Sequence, residues 1–225
     1  RGTILSVTTS GIPGWVSTST LAWENDTATS TFLGGLSIAG LNLNGLNKNI
    51  TVNNRHASST IVLTAAGGFG ESDYPAGSST QVLFTTSRVN KWMADFHTAT
   101  FQCMFWDAAM PDSYDGGQLQ ARFYWTATTS TGGVVWGIAS LSSGDDDALD
   151  TAPSATTTVA DTFIAANDMH ISAFTSGFTP AGTPVGGENI YFKICRNPEN
   201  ASDTLAASAR LLQVIIEYGK SVFSD

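Results

Sequence analysis

Strict alternation of apolar and polar residues restricts the fold of this chain more than any other feature. Within residues 119–125 the odd positions are Leu, Ala, Phe and Trp, and the even positions are Gln, Arg and Tyr. Within residues 212–218 the even positions are Leu, Val, Ile and Tyr. Successive side chains of a strand point to opposite faces, so this period of two predicts strands with one face in a core.

Similar short segments recur along the chain, with turn signals such as Asp115-Gly116-Gly117 and Thr131-Gly132-Gly133 between them. Short strands separated by turns are typical of an all-β fold, and we expect an antiparallel jelly roll or β-sandwich. One segment, residues 87–96, is the best candidate for a short helix. The predicted strands are residues 3–8, 49–53, 60–65, 81–87, 100–107, 118–127, 134–141, 156–159, 169–175, 189–196 and 209–218.

The chain changes in composition near residue 80. Residues 1–80 are rich in Ser, Thr, Gly and Asn and poor in large apolar side chains. A few short strands without a core of their own are marginally stable in water. We therefore predict an extended, β-poor arm or docking region over residues 1–80 and a jelly-roll domain over residues 81–225.

The charge of the chain bears on its partners. With 10 Lys and Arg against 19 Asp and Glu, the formal net charge is −9. Nucleic-acid binding depends largely on cations that neutralise phosphates, and basic segments likewise attract anionic membranes. We expect neither nucleic acid nor membrane as a partner. The chain begins Arg1-Gly2-Thr3 without an apolar leader, which suggests proteolytic maturation or a fragment.

The chain has two cysteines, Cys103 and Cys195. On a strand, Cys103 shares a face with Phe101 and Phe105, which we expect to point into the core. Cys195 shares a face with Tyr191 and Lys193, opposite the apolar set. A disulfide needs the two Cβ atoms to face each other, so we predict two free thiols.

The second half of the chain resembles the C-terminal block of virion proteins of tailed phages, marine ones especially. The similar pieces occur in the family's order over about residues 88–218: Met110-Pro111, Tyr114-Asp115-Gly116-Gly117, Phe123-Tyr124-Trp125-Thr126, Gly133-Val134-Val135-Trp136, Asp145-Asp146-Asp147-Ala148-Leu149-Asp150, the run from Asp161 to His170, and Ala209-Arg210-Leu211-Leu212. The resemblance implies a jelly-roll module of a head-decoration, spike or tail-fibre protein at the virion surface. It also implies a homotrimer that contacts capsid or tail proteins, and it supplies no catalytic residues.

Three hypotheses about function remain open at this point. The first is a non-enzymatic virion structural protein that acts through oligomeric assembly on the particle. The second is a carbohydrate-binding module for host attachment at a fibre tip, in which Tyr74, Trp92 and Tyr114 would contact a host surface glycan or a neighbouring subunit. The third is a subunit of an extracellular filament or surface layer.

The run Asp145-Asp146-Asp147, with Asp150 three residues on, is the sharpest polar cluster. Hard cations such as Ca²⁺ take several oxygen ligands at once, so a structural calcium site is one interpretation. The spacing differs from that of an EF-hand, and a solvated acidic loop is the favoured alternative. We expect no other cofactor.

Histidines occur at His56, His97 and His170, outside any Ser/His/Asp signature. No His-x-x-x-His pair is present, which argues against a zinc site. The sequence therefore gives no catalytic motif, and we expect a protein that is not an enzyme.

Overall fold

A computed structural model describes residues 2–7, 13–18, 58–70, 77–129 and 131–221. The chain divides into two compact units, residues 1–48 and residues 49–225. In the first unit, strands β1 (Gly2–Val7) and β2 (Pro13–Thr18) pair antiparallel. Strand β1 confirms the strand predicted at residues 3–8, whereas the strand predicted at residues 49–53 lies outside the described residues.

The second unit is built from strands and turns. In the described residues its one helical segment is a 3-10 turn at Ala65–Gly67. The strands are β3 (Ser58–Thr64), β4 (Phe69–Gly70), β5 (Gly77–Phe84), β6 (Val89–Phe96), β7 (Gln102–Ala109), β8 (Gln120–Thr126), β9 (Gly133–Ser143), β10 (Thr157–Thr162), β11 (His170–Ile171), β12 (Asn189–Arg196) and β13 (Ala209–Gly219).

These strands form two antiparallel sheets packed as a sandwich. The five-stranded sheet has the order β10-β9-β12-β7-β4. The second sheet has the order β11-β8-β13-β6-β5, and β3 pairs with the C-terminal part of β13 beside β6. The all-β antiparallel sandwich predicted from the alternating pattern is thus confirmed.

The core lies between the sheets and is dominated by aromatic side chains. Phe123 of β8 stacks on Trp136 of β9, with ring centroids 5.6 Å apart and planes 8° apart. Trp125 meets the same Trp136 ring edge-on at 6.5 Å. Both Trp125 and Phe123 are fully buried, so the face predicted for residues 119–125 is the face that enters the core.

Strand β13 departs from the predicted alternation at one place. The pairing of β13 with β8 shifts register between Leu211 and Gln213. This irregularity places Leu211 in the core and leaves Leu212 half-buried, whereas Val214 and Ile216 point inward as predicted. A bulge inserts one extra residue into a strand and so reverses the alternation on its N-terminal side.

The helix predicted for residues 87–96 is wrong. This segment forms β6 and pairs antiparallel with β5 across a turn in which Arg88 has a φ of 59°. Ala94 and Phe96 enter the core two residues apart, which is strand periodicity. Pairing with β5 in a hairpin and with the distant strand β13 therefore overrides a weak local helical preference.

The sandwich also begins earlier than the predicted boundary at residue 80. Strand β3 pairs with β13 along its whole length, from Ser58 to Thr64. Leu63 of β3 and Ala65, just after the strand, are buried in the core. Residues 58–70 therefore belong to the sandwich, because their apolar side chains complete a core that the sequence pattern assigned to residues 81–225 alone.

The prediction of two free thiols is wrong. Cys103 of β7 and Cys195 of β12 lie directly opposite each other, with Cα atoms 4.1 Å apart, and form a disulfide. The core side of β7 is occupied by Met104 and Trp106. Phe105 therefore points outward, and Cys103 shares the outer face with Cys195.

A buried ion pair closes the C-terminal end of β12. Arg196 and Asp203 are both almost fully buried, and their side chains meet at 2.7 Å and 3.0 Å. The guanidinium also donates to the carbonyl oxygens of Phe96, Leu205 and Ala207. All five guanidinium N–H groups thus have acceptors, which is the condition under which a buried charge is tolerated.

Within the described part of the chain, no helix is long and apolar enough to cross a membrane.

Candidate functional site: a groove on the outer face of the five-stranded sheet

The outer face of the five-stranded sheet carries aromatic and polar side chains side by side. On β12, Ile190, Phe192 and Ile194 point into the core. Tyr191 and Lys193 consequently point to the opposite side. On β7 the same alternation turns Phe105 and Asp107 outward, next to the side chains of β12.

Three aromatic rings form a row on this face. The rings of Phe105 and Tyr191 stack with centroids 5.3 Å apart and planes 25° apart. Phe69 of β4 lies 5.8 Å from the other side of Phe105 at an angle of 51° and is 50% exposed. The Lys193 ammonium is 5.6 Å from the centroid of the Phe105 ring. Phe105 is thus packed in the centre of the row, while Phe69 remains accessible to solvent.

A groove of about 450 Å³ runs along this face. The Asn189 side-chain amide donates to Asp107 Oδ1 at 3.3 Å and so links β12 to β7. We call this surface the outer groove. It is lined by Phe105, Asp107, Leu141, Ser143, Leu149, Thr151, Pro153, Asn189, Tyr191 and Lys193. The combination of apolar surface with a few hydrogen-bonding groups is typical of small-molecule binding sites.

The loop that follows β9 forms one wall of the outer groove. It is tied to β9 where the Ser154 amide donates to the carbonyl oxygen of Ser140 at 2.9 Å. At its start, the Gly144 amide donates to Asp147 Oδ2 at 2.8 Å. Leu149 lies between these points and is 82% exposed. The wall therefore has fixed ends and presents an apolar tip to solvent.

The same loop contains the predicted calcium ligands. Asp145, Asp146, Asp147 and Asp150 are all exposed, and Asp147 is already hydrogen-bonded to the Gly144 amide. Over the described residues, no group of three or more His, Cys, Asp or Glu side chains is arranged to hold a metal ion. The structure thus assembles no calcium site from these four carboxylates.

Tyr114, one of the three aromatic residues predicted to contact a glycan or a subunit, is buried in the structure. Its side chain is 6% exposed and meets Tyr218 edge-on at 6.4 Å. Its hydroxyl donates to the Gly117 carbonyl oxygen, and an isolated bridge pairs Tyr114 with Lys220. Burial, and secondarily the nearby Asp115 carboxylate, raise the pKa of the Tyr114 hydroxyl above its ordinary value. Tyr114 therefore anchors its turn and is not available to a ligand.

The other two predicted aromatic residues do not line the outer groove. Trp92 is 45% exposed but belongs to β6, in the other sheet. Tyr74 lies outside the described residues. The structure instead places Tyr191 and Phe105 at the candidate site. The sequence pattern placed Tyr191 and Lys193 on the face of their strand opposite an apolar set, but it did not mark either Tyr191 or Phe105 as a binding residue.

Comparisons with known proteins bear on the fold. No family model matches the sequence, and no curated protein does. Among solved structures, a family 11 carbohydrate-binding module from Clostridium thermocellum in complex with a β-1,3-1,4-mixed-linked tetrasaccharide is 10% identical, with a TM-score of 0.34, over 72% of this chain and 89% of that one. A carbohydrate-binding module specific for non-crystalline cellulose, CBM28, is 10% identical, with a TM-score of 0.38, over 68% and 86%.

An exo-β-1,3-galactanase from Phanerochaete chrysosporium, solved with galactose, is 14% identical with a TM-score of 0.37. The alignment covers 70% of this chain and 29% of the galactanase, so the chain spans under a third of that enzyme's length. The sandwich itself is established by the pairing of the strands described above.

Proposed function

We propose that this chain is a non-enzymatic glycan-binding module and that the outer groove is its binding site. The observation that carries the proposal is the row of Phe69, Phe105 and Tyr191 beside the hydrogen-bonding side chains of Asp107 and Asn189. The rings lie on the outer face of a sheet whose inner face is a packed core. A rigid sheet holds such groups in place without loss of side-chain freedom on binding.

The chemistry of a saccharide matches this surface. A pyranose ring presents C–H groups on its faces and hydroxyl groups around its edge. The C–H faces can pack on the accessible aromatic surface of Tyr191, whose ring is amphipathic. The hydroxyl groups can donate to the Asp107 carboxylate and accept from the Asn189 amide. Apolar packing supplies affinity, and the polar groups fix orientation.

A pair of alanine variants tests the proposal. Glycan-array binding and titration calorimetry on a positive glycan should show at least about a tenfold loss of affinity for Tyr191→Ala, because the stacking surface is removed. Trp92→Ala removes an exposed aromatic side chain from the other sheet and is the matched control. Equal affinities for the wild type and Tyr191→Ala, or a loss confined to Trp92→Ala, would refute the outer groove as the site.

We further propose that the module acts at a virion surface, where binding a host glycan would serve attachment. The support is the resemblance of residues 88–218 to virion proteins of tailed phages, which covers most of the sandwich. Gold-labelled antibodies against the chain should decorate intact particles of a phage that encodes it. Label absent from the particles and present only on cell-surface filaments would favour a cellular filament or surface-layer subunit.

The resemblance also leads us to propose a homotrimer. Light scattering should give three times the 23.6 kDa chain mass. A variant that lacks residues 1–48 keeps the whole second compact unit and separates the contribution of the first unit. A trimer that dissociates on truncation would assign the contacts to residues 1–48, whereas a monomer in both preparations would refute the trimer.

A further inference from the structure

We infer that the outer groove selects uncharged glycans and discriminates against saccharides that carry carboxylate or sulfate groups. This inference rests on the proposed function and adds to it the charge class of the ligand. It is carried by the placement of the acidic side chains around the outer groove.

Negative charge lies both within the outer groove and at its border. Asp107 is part of the lining. Asp150 lies between two lining residues, Leu149 and Thr151. The remaining carboxylates belong to the loop that forms one wall of the outer groove. We define the acidic rim as Asp145, Asp146, Asp147 and Asp150, which are all exposed.

Positive charge in the lining comes from Lys193. Among the described residues that line the outer groove, it is the single cation. Its ammonium is directed toward the Phe105 ring, 5.6 Å from the centroid. Within the lining the charge of Lys193 offsets that of Asp107. The excess negative charge therefore comes from the four carboxylates of the acidic rim, in a chain whose net charge is −9. The local field is therefore negative.

This field has opposite consequences for hydroxyl groups and for anions. A carboxylate such as Asp107 is only an acceptor, so it favours hydroxyl donors and repels a second carboxylate or a sulfate. The electrostatic effect of an exposed charge extends over a screening length of about 8 Å at physiological ionic strength. Charges on the acidic rim can therefore act on a ligand in the outer groove. Like charges brought together at a binding surface reduce affinity for the wrong ligand.

One polysaccharide backbone in two charge forms tests the inference. Homogalacturonan oligosaccharides as free acids and as full methyl esters differ in charge, and neutral gluco-, galacto-, manno- and xylo-oligosaccharides complete the panel. At low ionic strength we expect the neutral or esterified ligands to bind at least about tenfold more tightly than the free acids. The ratio of these two affinities should decrease in 0.5 M NaCl, because salt screens the charges of the acidic rim.

A charge-neutralised variant assigns the effect to named residues. Replacing Asp145, Asp146, Asp147 and Asp150 together with Asn keeps similar size and hydrogen-bonding capacity, and should raise the affinity for free acids relative to esters several-fold. Glu217→Gln removes a negative charge from β13, in the other sheet, and should leave that ratio unchanged.

The outcomes separate the two proposals. Free acids that bind as tightly as the esters, with affinity lost in Tyr191→Ala, would overturn the charge selection and leave the glycan-binding site standing. Binding to none of the saccharides, at either ionic strength, would overturn the proposed function and the charge selection together.

Discussion

The two faces of β12 show how one strand can serve two purposes. Its inward side chains are fully buried and fill the core or one end of it: Ile190, Phe192, Ile194 and Arg196. Its outward side chains, Asn189, Tyr191 and Lys193, line the outer groove. The inner side chains are shielded from solvent, whereas on the outer face Asn189 is exposed and Tyr191 and Lys193 are partly exposed.

The difference indicates where mutations should affect stability and where they should affect binding. Apolar burial contributes about 25 cal/mol per Å², and truncating a fully buried residue also leaves a cavity. A partly exposed residue on the outer face has less surface to lose. We therefore expect stability to follow the inner face of β12 and ligand affinity to follow its outer face.

The loss of stability expected for Arg196→Met is among the largest. This substitution leaves Asp203 buried without its cation and removes the donors to three carbonyl oxygens. Breaking a buried pair in this way costs about 3–5 kcal/mol of unfolding free energy, measured by urea denaturation. Arg210→Met is the control, because the Arg210–Asp95 pair is partly exposed and should contribute less than about 1 kcal/mol. Equal losses for the two variants would contradict the contrast between buried and exposed pairs.

A somewhat smaller loss should follow removal of the Cys103–Cys195 disulfide, which lies on the outer face. The two cysteines are 92 residues apart in sequence, and cross-links of this kind contribute about 2–4 kcal/mol. The disulfide joins β7 and β12, the strands that carry Phe105 and Tyr191. Reduction with dithiothreitol should therefore lower both the stability and the affinity of the outer groove.

The Cys103→Ser/Cys195→Ser variant provides the control for reduction. It should show the lower stability without reductant and no further change with it. A wild-type protein whose unfolding midpoint and glycan affinity are unaffected by reductant would show that the disulfide supports neither the outer face nor the fold.

The third prediction compares neighbours on one strand. Tyr191→Ala should cost about 1 kcal/mol of stability, because its ring packs on Phe105 at a partly exposed position. Phe192→Ala, one residue along, removes a fully buried ring and should cost about 3–5 kcal/mol. Thermal unfolding of the two variants gives the comparison. A larger loss for Tyr191→Ala than for Phe192→Ala would mean that the assigned faces are reversed.

The sequence predicts the core face of this fold better than the outer face. Period-two alternation identifies the inward side of β8, because burial in the core imposes that pattern. It does not show on which side of β7 the core lies, since Phe105 and Trp106 are both large and apolar. That ambiguity led to the wrong prediction for Cys103 and obscured the outer groove.

The candidate site was harder to predict because it depends on pairing between distant segments. Phe69, Phe105 and Tyr191 meet only through the order β4-β7-β12. Nothing local distinguishes them from other aromatic residues, so Trp92 and Tyr114 were equally plausible as binding residues. A strand order is fixed by the whole core and cannot be derived from short sequence windows.

The smallest expected effect is on the pH dependence of stability. It concerns Tyr114, which is buried, whereas Tyr191 is partly exposed. Its pKa is raised in the folded state, so the fold favours the neutral phenol. The stability associated with that phenol is present below the ordinary pKa of about 10 and is lost as the pH rises through the folded-state value. Tyr114→Phe lacks the ionisable group, and its stability should fall less between pH 9 and pH 11 than that of the wild type. Urea denaturation across this range measures the difference, and spectrophotometric titration should show one late-ionising tyrosine fewer in the variant. Parallel pH profiles for the two proteins would mean that Tyr114 ionises as freely as a solvent-exposed tyrosine, which its burial against Tyr218 makes us reject.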